Sequence, residues 1–259
     1  MYRVKANAVW HSLPGVVAAY QPIAAPDPFA ARQNVAHGGA RFGVYTATPG
    51  VLPTWNAATG WTFTRAGTNG NYLTTGVVFP ETGTWLLRYS SFTPTTAYAP
   101  IGSRTSALNG SWAEMGASGV SAYFNNGTFA LYSAWGSSGV IGISAKSCYH
   151  NGALVATIGA GANTTTQPFY IGVLNSGGTP LSGYYWQGVM PGVVIFSRTL
   201  SPAEMWLASR QMAYCEANPD WNVWARRRRY YYAPSQAAAA AFNPAWARNT
   251  NTVINLVNL

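Results

Sequence analysis

A chain of 259 residues that is 48% hydrophobic and 14% aromatic has material for one large β domain or two small ones, and is too apolar to be disordered. Only 8% of its residues are charged, against about 25% in soluble domains, yet no apolar run approaches the ~20 residues of a membrane-spanning helix. The net charge of +9 is uneven, since Arg226 to Arg229 carry four of the nine, and overall basicity is therefore weak ground for a nucleic-acid partner.

So weakly charged a surface is more natural when partners or further copies of the chain cover it, and a homo-oligomer is expected. At the N-terminus Arg3 and Lys5 precede apolar residues as in a weak signal peptide, but His11 and Pro14 break the apolar stretch and export by this route is not expected. Residues 1–14 are read as a separate N-terminal segment. From Gly15 to about Thr199 short strands alternate with turns. "TWLLRYSSF" (84–92) is rich in strand formers but alternates imperfectly. Asn126-Gly127 and Asn151-Gly152 each stand between strand-like segments, where Asn-Gly suits the type I′ turn of a hairpin. "PFYIGVL" (168–174) and "GVVIFSRTL" (192–200) add two further strands. Strands in this number without a βαβ rhythm predict an antiparallel sandwich or barrel.

One helix is predicted over 202–214. Ser201 and Glu204 have the spacing of a capping box, and Pro202 takes the first helical position, where a missing N–H costs nothing. Met205, Ala208, Met212 and Cys215 share a helical face that should meet the sandwich, while Leu207 and Tyr214 lie on roughly the opposite side. Cys148 and Cys215 match no metal spacing and are read as two buried free thiols.

After Asn218 the composition changes, and 218–259 is read as an extended arm with one terminal strand, "TVINLVNL" (252–259). Its candidate docking residues are Trp221 and Trp224, the run Arg226, Arg227, Arg228 and Arg229, the run Tyr230, Tyr231 and Tyr232, and Trp246. Basic residues interleaved with aromatics suit single-stranded nucleic acid, but here the aromatics follow the arginines as a block. An extended chain sends alternate arginines to opposite sides, which favours bridging protein surfaces over a solvated linker or a nucleic-acid site.

The order of these segments resembles the LamG-like, concanavalin A-like jelly-roll family. "SCYHNGALVAT" precedes "QPFYIGVL", and "GVVIF" runs into "SRTLSPAE", matching that family's final strand and short helix through Arg198, Leu200, Ser201 and Glu204. The resemblance implies an all-β, concanavalin A-like antiparallel β-sandwich (jelly roll) over 15–217, with one short C-terminal helix and an extended arm. "NPDWNVW" followed by "ARRRRYYYAP" is similar to the segment after this helix in LamG-like proteins of tailed bacteriophages and prophages. That implies a virion structural protein assembled in the host bacterial cytoplasm.

Catalytic chemistry finds little to use. The six acidic residues, Asp27, Glu81, Glu114, Glu204, Glu216 and Asp220, include no pair two apart on a strand, as a retaining glycosidase of related fold would need. None of His11, His37 and His150 stands in a nucleophile motif, and His150, beside a hairpin turn, is given a surface hydrogen-bonding role. No cofactor is expected. Calcium, which LamG domains often bind through an Asp, finds no matching Asp here. The leading expectation is a non-enzymatic capsid decoration or cement protein that binds the major capsid lattice. The alternative is a glycan-binding tail or spike module that stacks sugars on Trp112, Trp135, Tyr185 and Trp186, with Tyr184 beside them. A secreted carbohydrate-binding LamG-like domain is a third.

Overall fold

The computed structural model describes residues 10–36, 47–80, 82–92, 98–106, 109–116, 119–124, 127–128, 136–157 and 165–218. The described residues open on a 3-10 turn, Trp10–Ser12, and strand β1 (Val16–Tyr20), followed by β2 (Thr48–Val51), β3 (Thr54–Asn56) and β4 (Gly60–Phe63). A small ribbon, β5 (Arg65–Ala66) and β6 (Asn69–Gly70), leads to β7 (Tyr72–Val78), β8 (Thr84–Ser90), β9 (Ile101–Ser106) and β10 (Asn109–Gly116). Then come β11 (Gly119–Phe124), β12 (Gly127–Thr128), β13 (Gly139–Ser144), β14 (Ser147–His150) and β15 (Ala153–Thr157). The last elements are β16 (Pro168–Ile171), β17 (Asn175–Ser176), β18 (Thr179–Pro180), β19 (Gly188–Phe196) and the helix α1 (Pro202–Ala217).

Two mainly antiparallel sheets pack face to face as a β-sandwich, followed by one C-terminal helix. The first runs β15-β14-β13-β8-β19-β4-β3, with β1 also paired to β19. The second runs β12-β11-β10-β9-β16-β7-β2, and the β17–β18 ribbon joins it at β9. Trp85, Leu87 and Tyr89 of β8 are buried, and the Trp85 indole N–H donates across the interior to the Ser111 hydroxyl of β10 (3.4 Å). From the second sheet Phe79 and Phe169 stack at 4.8 Å, and Ile101, Ala113 and Met115 join the same core.

The imperfect alternation of "TWLLRYSSF" has a physical cause. Thr84 and Leu86, pointing the other way from Trp85 and Leu87, are buried as well, because α1 lies over that face of the sheet. A strand covered on both faces reads as a near-continuous apolar run. A Cβ added to Gly142 of β13 would meet both Leu86 and Met205 at 2.9 Å, which shows how closely the helix approaches.

Three boundaries differ from expectation. Trp10 and Leu13 belong to the main core, with the Trp10 ring wedged between Gly192 and α1, so the body takes in part of the stretch expected to stand apart. The helix continues to Ala217 rather than ending at 214, because Cys215 is buried and Glu216 pairs with Arg88 of β8. Gly127 lies in β12 opposite Phe124, so residues 125 and 126, outside the described set, separate the two strands in place of Asn126-Gly127. The Asn151-Gly152 hairpin is as expected, with both residues at positive φ (52° and 85°) and His150 opposite Ala153.

At Gly152 a Cβ would also stand 2.6 Å from the Trp206 Cα of the overlying helix. Gly152→Ala is therefore expected to lower unfolding free energy by about 1–3 kcal/mol in denaturant titration. Gly136→Ala, where a Cβ meets nothing closer than 3.5 Å, should change it little.

Candidate functional site

The residues between β19 and α1 position the helix. Leu200 is buried and donates its N–H to the hydroxyls of Thr84 (3.0 Å) and Ser144 (2.8 Å), which also bond each other (2.9 Å). Ser201 caps α1 by accepting from the Glu204 N–H (3.3 Å), and the Glu204 carboxylate accepts from the Ser201 N–H (2.9 Å). Arg198 holds the same carboxylate with two N–H groups, at 3.1 and 2.5 Å, and donates to the Pro14 carbonyl at 2.8 Å. This guanidinium, hydrogen-bonded to the Glu204 carboxylate, pulls its pKa from 4.5 down to about 2.

So fixed, α1 presents two faces. Met205, Ala208, Ser209, Met212 and Cys215 are buried against the sheet. Trp206, Arg210 and Tyr214, at i, i+4 and i+8, form a solvent-facing stripe. Trp206 is 54% exposed and Tyr214 50%, and the Arg210 guanidinium lies 5.5 Å from the Trp206 ring centroid. Beside them Leu154 of β15 is 55% exposed. Trp, Tyr and Arg are the residue types on which binding energy concentrates at protein interfaces. The stripe ends about one helical turn before Asn218, where the basic-aromatic segment of the sequence begins.

The residues expected to stack on sugars lie elsewhere and are covered. Trp112 is buried with Ala99 and Leu174, with Leu181 and Tyr184 packed on them, and donates its indole N–H to Glu114 (3.0 Å). Tyr185 is buried with Tyr170 and Val173, and Tyr72 meets it edge-on at 6.2 Å. Leu174, Leu181 and Tyr184 thus cover Trp112, and Tyr185, from the same segment, packs on Tyr170 and Tyr72 of the second sheet. Trp186 points into the sandwich, stacked on Phe92 (6.1 Å, 10°) and edge-on to Phe63 (5.9 Å). Three of the four named aromatics thus offer no ring face to a ligand; the chain's own side chains fill those positions. Trp135 and every named arm residue, from Trp221 to Trp246, lie outside the described residues.

The described carboxylates all have local contacts. Asp27 accepts from the Ala30 N–H (2.7 Å), Glu114 from Trp112, Glu204 from Arg198 and Ser201, and Glu216 from Arg88. His150 is buried rather than surface-placed, with its Nε2 3.4 Å from the Tyr89 hydroxyl and 3.2 Å from Asn151 Nδ2, and burial lowers its pKa. Cys148 and Cys215 form no disulfide with each other and are buried, and burial pushes the Cys148 thiol up to about 12. Among the described residues no three His, Cys, Asp or Glu side chains come together as a metal site. A cavity beside Trp10, Arg88 and Cys215 measures about 10 Å³, room for a water and not for a sugar ring.

No protein-family model matches the chain, and no curated protein does. Among solved structures, the Ruminococcus gnavus IT-sialidase CBM40 bound to α2,3 sialyllactose is similar at 17% identity and TM-score 0.38, over 51% of this chain and 84% of that one. Trypanosoma rangeli sialidase is similar at 12% identity and TM-score 0.46, over 77% of this chain and 33% of that one. The K499G mutant of Streptococcus pneumoniae NanB sialidase is similar at 17% identity and TM-score 0.36, over 50% of this chain and 24% of that one. The matched region spans about a quarter of the NanB chain. At such values these likenesses assign neither an activity nor a ligand.

Two measurements test this geometry. A carboxylate whose pKa is depressed in the folded state stabilises it above its unfolded value of 4.5 and stops doing so as pH falls toward 2. With both partners about a third exposed, Glu204→Gln is expected to cost about 1–2 kcal/mol at neutral pH, with the deficit closing across that acid window. Burial also predicts that a thiol reagent at pH 8 labels neither cysteine in the folded chain and both once it is unfolded.

Proposed function

We propose that the protein is a non-catalytic structural subunit that works by docking onto other proteins, through the outer stripe of α1 and the arm that continues from it. The observation that carries this reading is the Trp206–Arg210–Tyr214 stripe beside Leu154, set on a helix that hydrogen bonds at its cap and buried apolar residues beneath hold rigidly. Rigid placement lowers the entropy cost of binding, and Trp, Tyr and Arg are the residues on which binding energy concentrates. Engagement of every described carboxylate in local contacts supports the non-enzymatic part.

The resemblance of the sequence to LamG-like proteins of tailed phages extends the reading to a virion, and within it to a decoration or cement protein on the major capsid lattice. A repeated lattice multiplies a modest contact by its copy number. Homo-oligomers of the subunit fit the same picture. Glycan recognition on a tail or spike is the competing reading, and it would have to use side chains other than Trp112, Tyr185 and Trp186, which are buried.

Quantitative mass spectrometry of purified particles should find the chain in many copies. Losing a binding hot spot costs about 2 kcal/mol or more, so Trp206→Ala should weaken attachment about 30-fold, and Arg210→Glu should weaken it further. Normal attachment of both variants would remove the docking role of α1. A few copies per particle, together with specific glycan binding on an array, would replace the reading with the competing one.

A further inference from the structure

His150 ends strand β14, and the Asn151-Gly152 turn beside it decides where its ring can carry a proton. The Val140 N–H donates to Asn151 Oδ1 (2.9 Å), and the Asn151 N–H donates to the Val140 carbonyl (2.8 Å). A backbone N–H can only donate, so the Asn151 amide has one orientation, with Nδ2 toward the ring. Nδ2 lies 3.2 Å from His150 Nε2 and, as a donor, needs a lone pair there. The ring is therefore neutral and carries its proton on Nδ1. Space is closed on the same side, where a Cβ added to Gly139 would stand 2.6 Å from Nε2 and 2.9 Å from the Tyr89 hydroxyl. That hydroxyl is 3.4 Å from Nε2 and donates to the Gly136 carbonyl at 3.4 Å.

The groups around this ring, among the described residues, suit the neutral form. On its side of the first sheet the titratable neighbours are Tyr89 of β8 and Cys148 of β14, a phenol and a thiol. β13 and β15 hold no charged residue, and Lys146 lies beyond the far end of β14. Arg88 alternates to the other face, where Glu216 holds it and where α1, with Glu204 and Arg210, packs. In the second sheet Glu114 and Arg104 point outward to Trp112.

We propose that His150 is a pH-sensitive latch on the β14–β15 hairpin, closed while Nε2 accepts from Asn151 and released when that nitrogen takes a proton. A protonated Nε2 sets its N–H against the Asn151 donor, and Asn151 cannot turn over without abandoning the Val140 N–H. Because burial lowers the folded imidazole below its ordinary 6.5, opening takes up a proton. The latch therefore holds above pH 6.5 and loosens as pH falls below it. Gly152 lies under α1, where a Cβ would stand 2.6 Å from the Trp206 Cα. Release of the turn thus reaches the helix that carries the exposed stripe. That consequence rests on the docking reading; the latch itself does not.

Nitrogen NMR of the isolated full-length protein reads the ring directly and should find the His150 proton on Nδ1 at pH 7.5. Protection of the Val140 and Asn151 amides, corrected for intrinsic exchange, should fall severalfold between pH 7 and pH 5. The ceiling is about 30-fold, the factor by which an imidazole of ordinary pKa 6.5 favours the open form at pH 5. His150→Gln, whose amide oxygen can accept from Asn151 without titrating, should lose that fall. Asn151→Asp, whose second carboxylate oxygen accepts from a protonated ring, should reverse it, so that protection rises as pH drops toward 5. A proton on Nε2 at pH 7.5, or equal protection at pH 7 and pH 5 in the unaltered chain, would overturn the proposal. So would a fall that persists in His150→Gln. None of these readouts involves a particle, so failure of the latch leaves the attachment measurements to be read on their own.

Discussion

Much of this structure depends on one ion pair and the hydrogen bonds around it. Arg198 grips Glu204 with two N–H groups, Glu204 and Ser201 cap α1 reciprocally, and the same arginine reaches the carbonyl of Pro14. The turn before β1, the segment after β19 and the helix α1 thus meet at one guanidinium. One step away, Leu200 is locked between the hydroxyls of Thr84 and Ser144, which belong to the two central strands β8 and β13. The stretch "SRTLSPAE" is therefore a structural latch: it sets the rotation of α1 about its axis and so decides which side chains face water.

Aromatic wealth has a second explanation in the same architecture. A sheet with one dry face needs apolar residues on alternate positions only, but here part of each sheet is covered on both faces. The first is sandwiched between its partner sheet and α1, and the second is overlaid by the segment from Gly172 to Tyr185. Trp85 and Trp186 fill the interior, while Trp112 and Tyr185 fill the outer layer. Aromatic side chains bury more area than any others and so serve such layers well. Among the described residues, the large apolar side chains left in water include Trp206, Tyr214 and Leu154.

The fold was legible in the sequence wherever a local rule acted alone. The capping box at Ser201 and Glu204, the proline at the first helical turn and the Asn151-Gly152 hairpin each declare themselves within four residues. What stayed hidden depended on distant contacts. Burial of Trp112 follows from a covering segment whose path no short pattern reveals, and that of Trp186 from its place between the two sheets. Trp10 joins the core because Gly192 and α1 leave a space that only the fold creates. The exposed stripe did have a sequence signal, since Trp206, Arg210 and Tyr214 repeat every four residues opposite Met205, Ala208, Met212 and Cys215. Tyr214 was placed on that side from the sequence together with Leu207, whereas Trp206 was assigned to neither face.

A latch that fixes the helix, filled interior layers and an aromatic stripe left outside fit a subunit whose work is done at its surface and by contact with other proteins. Oxidative footprinting of the protein free and bound to its particle tests that most directly, because Trp206 and Tyr214 are the large aromatic side chains on the helix that water reaches. Their labelling should fall severalfold on binding, while that of buried Trp85 and Trp186 stays low in both states. Unchanged labelling of Trp206 and Tyr214 in the bound protein would contradict a docking face on α1.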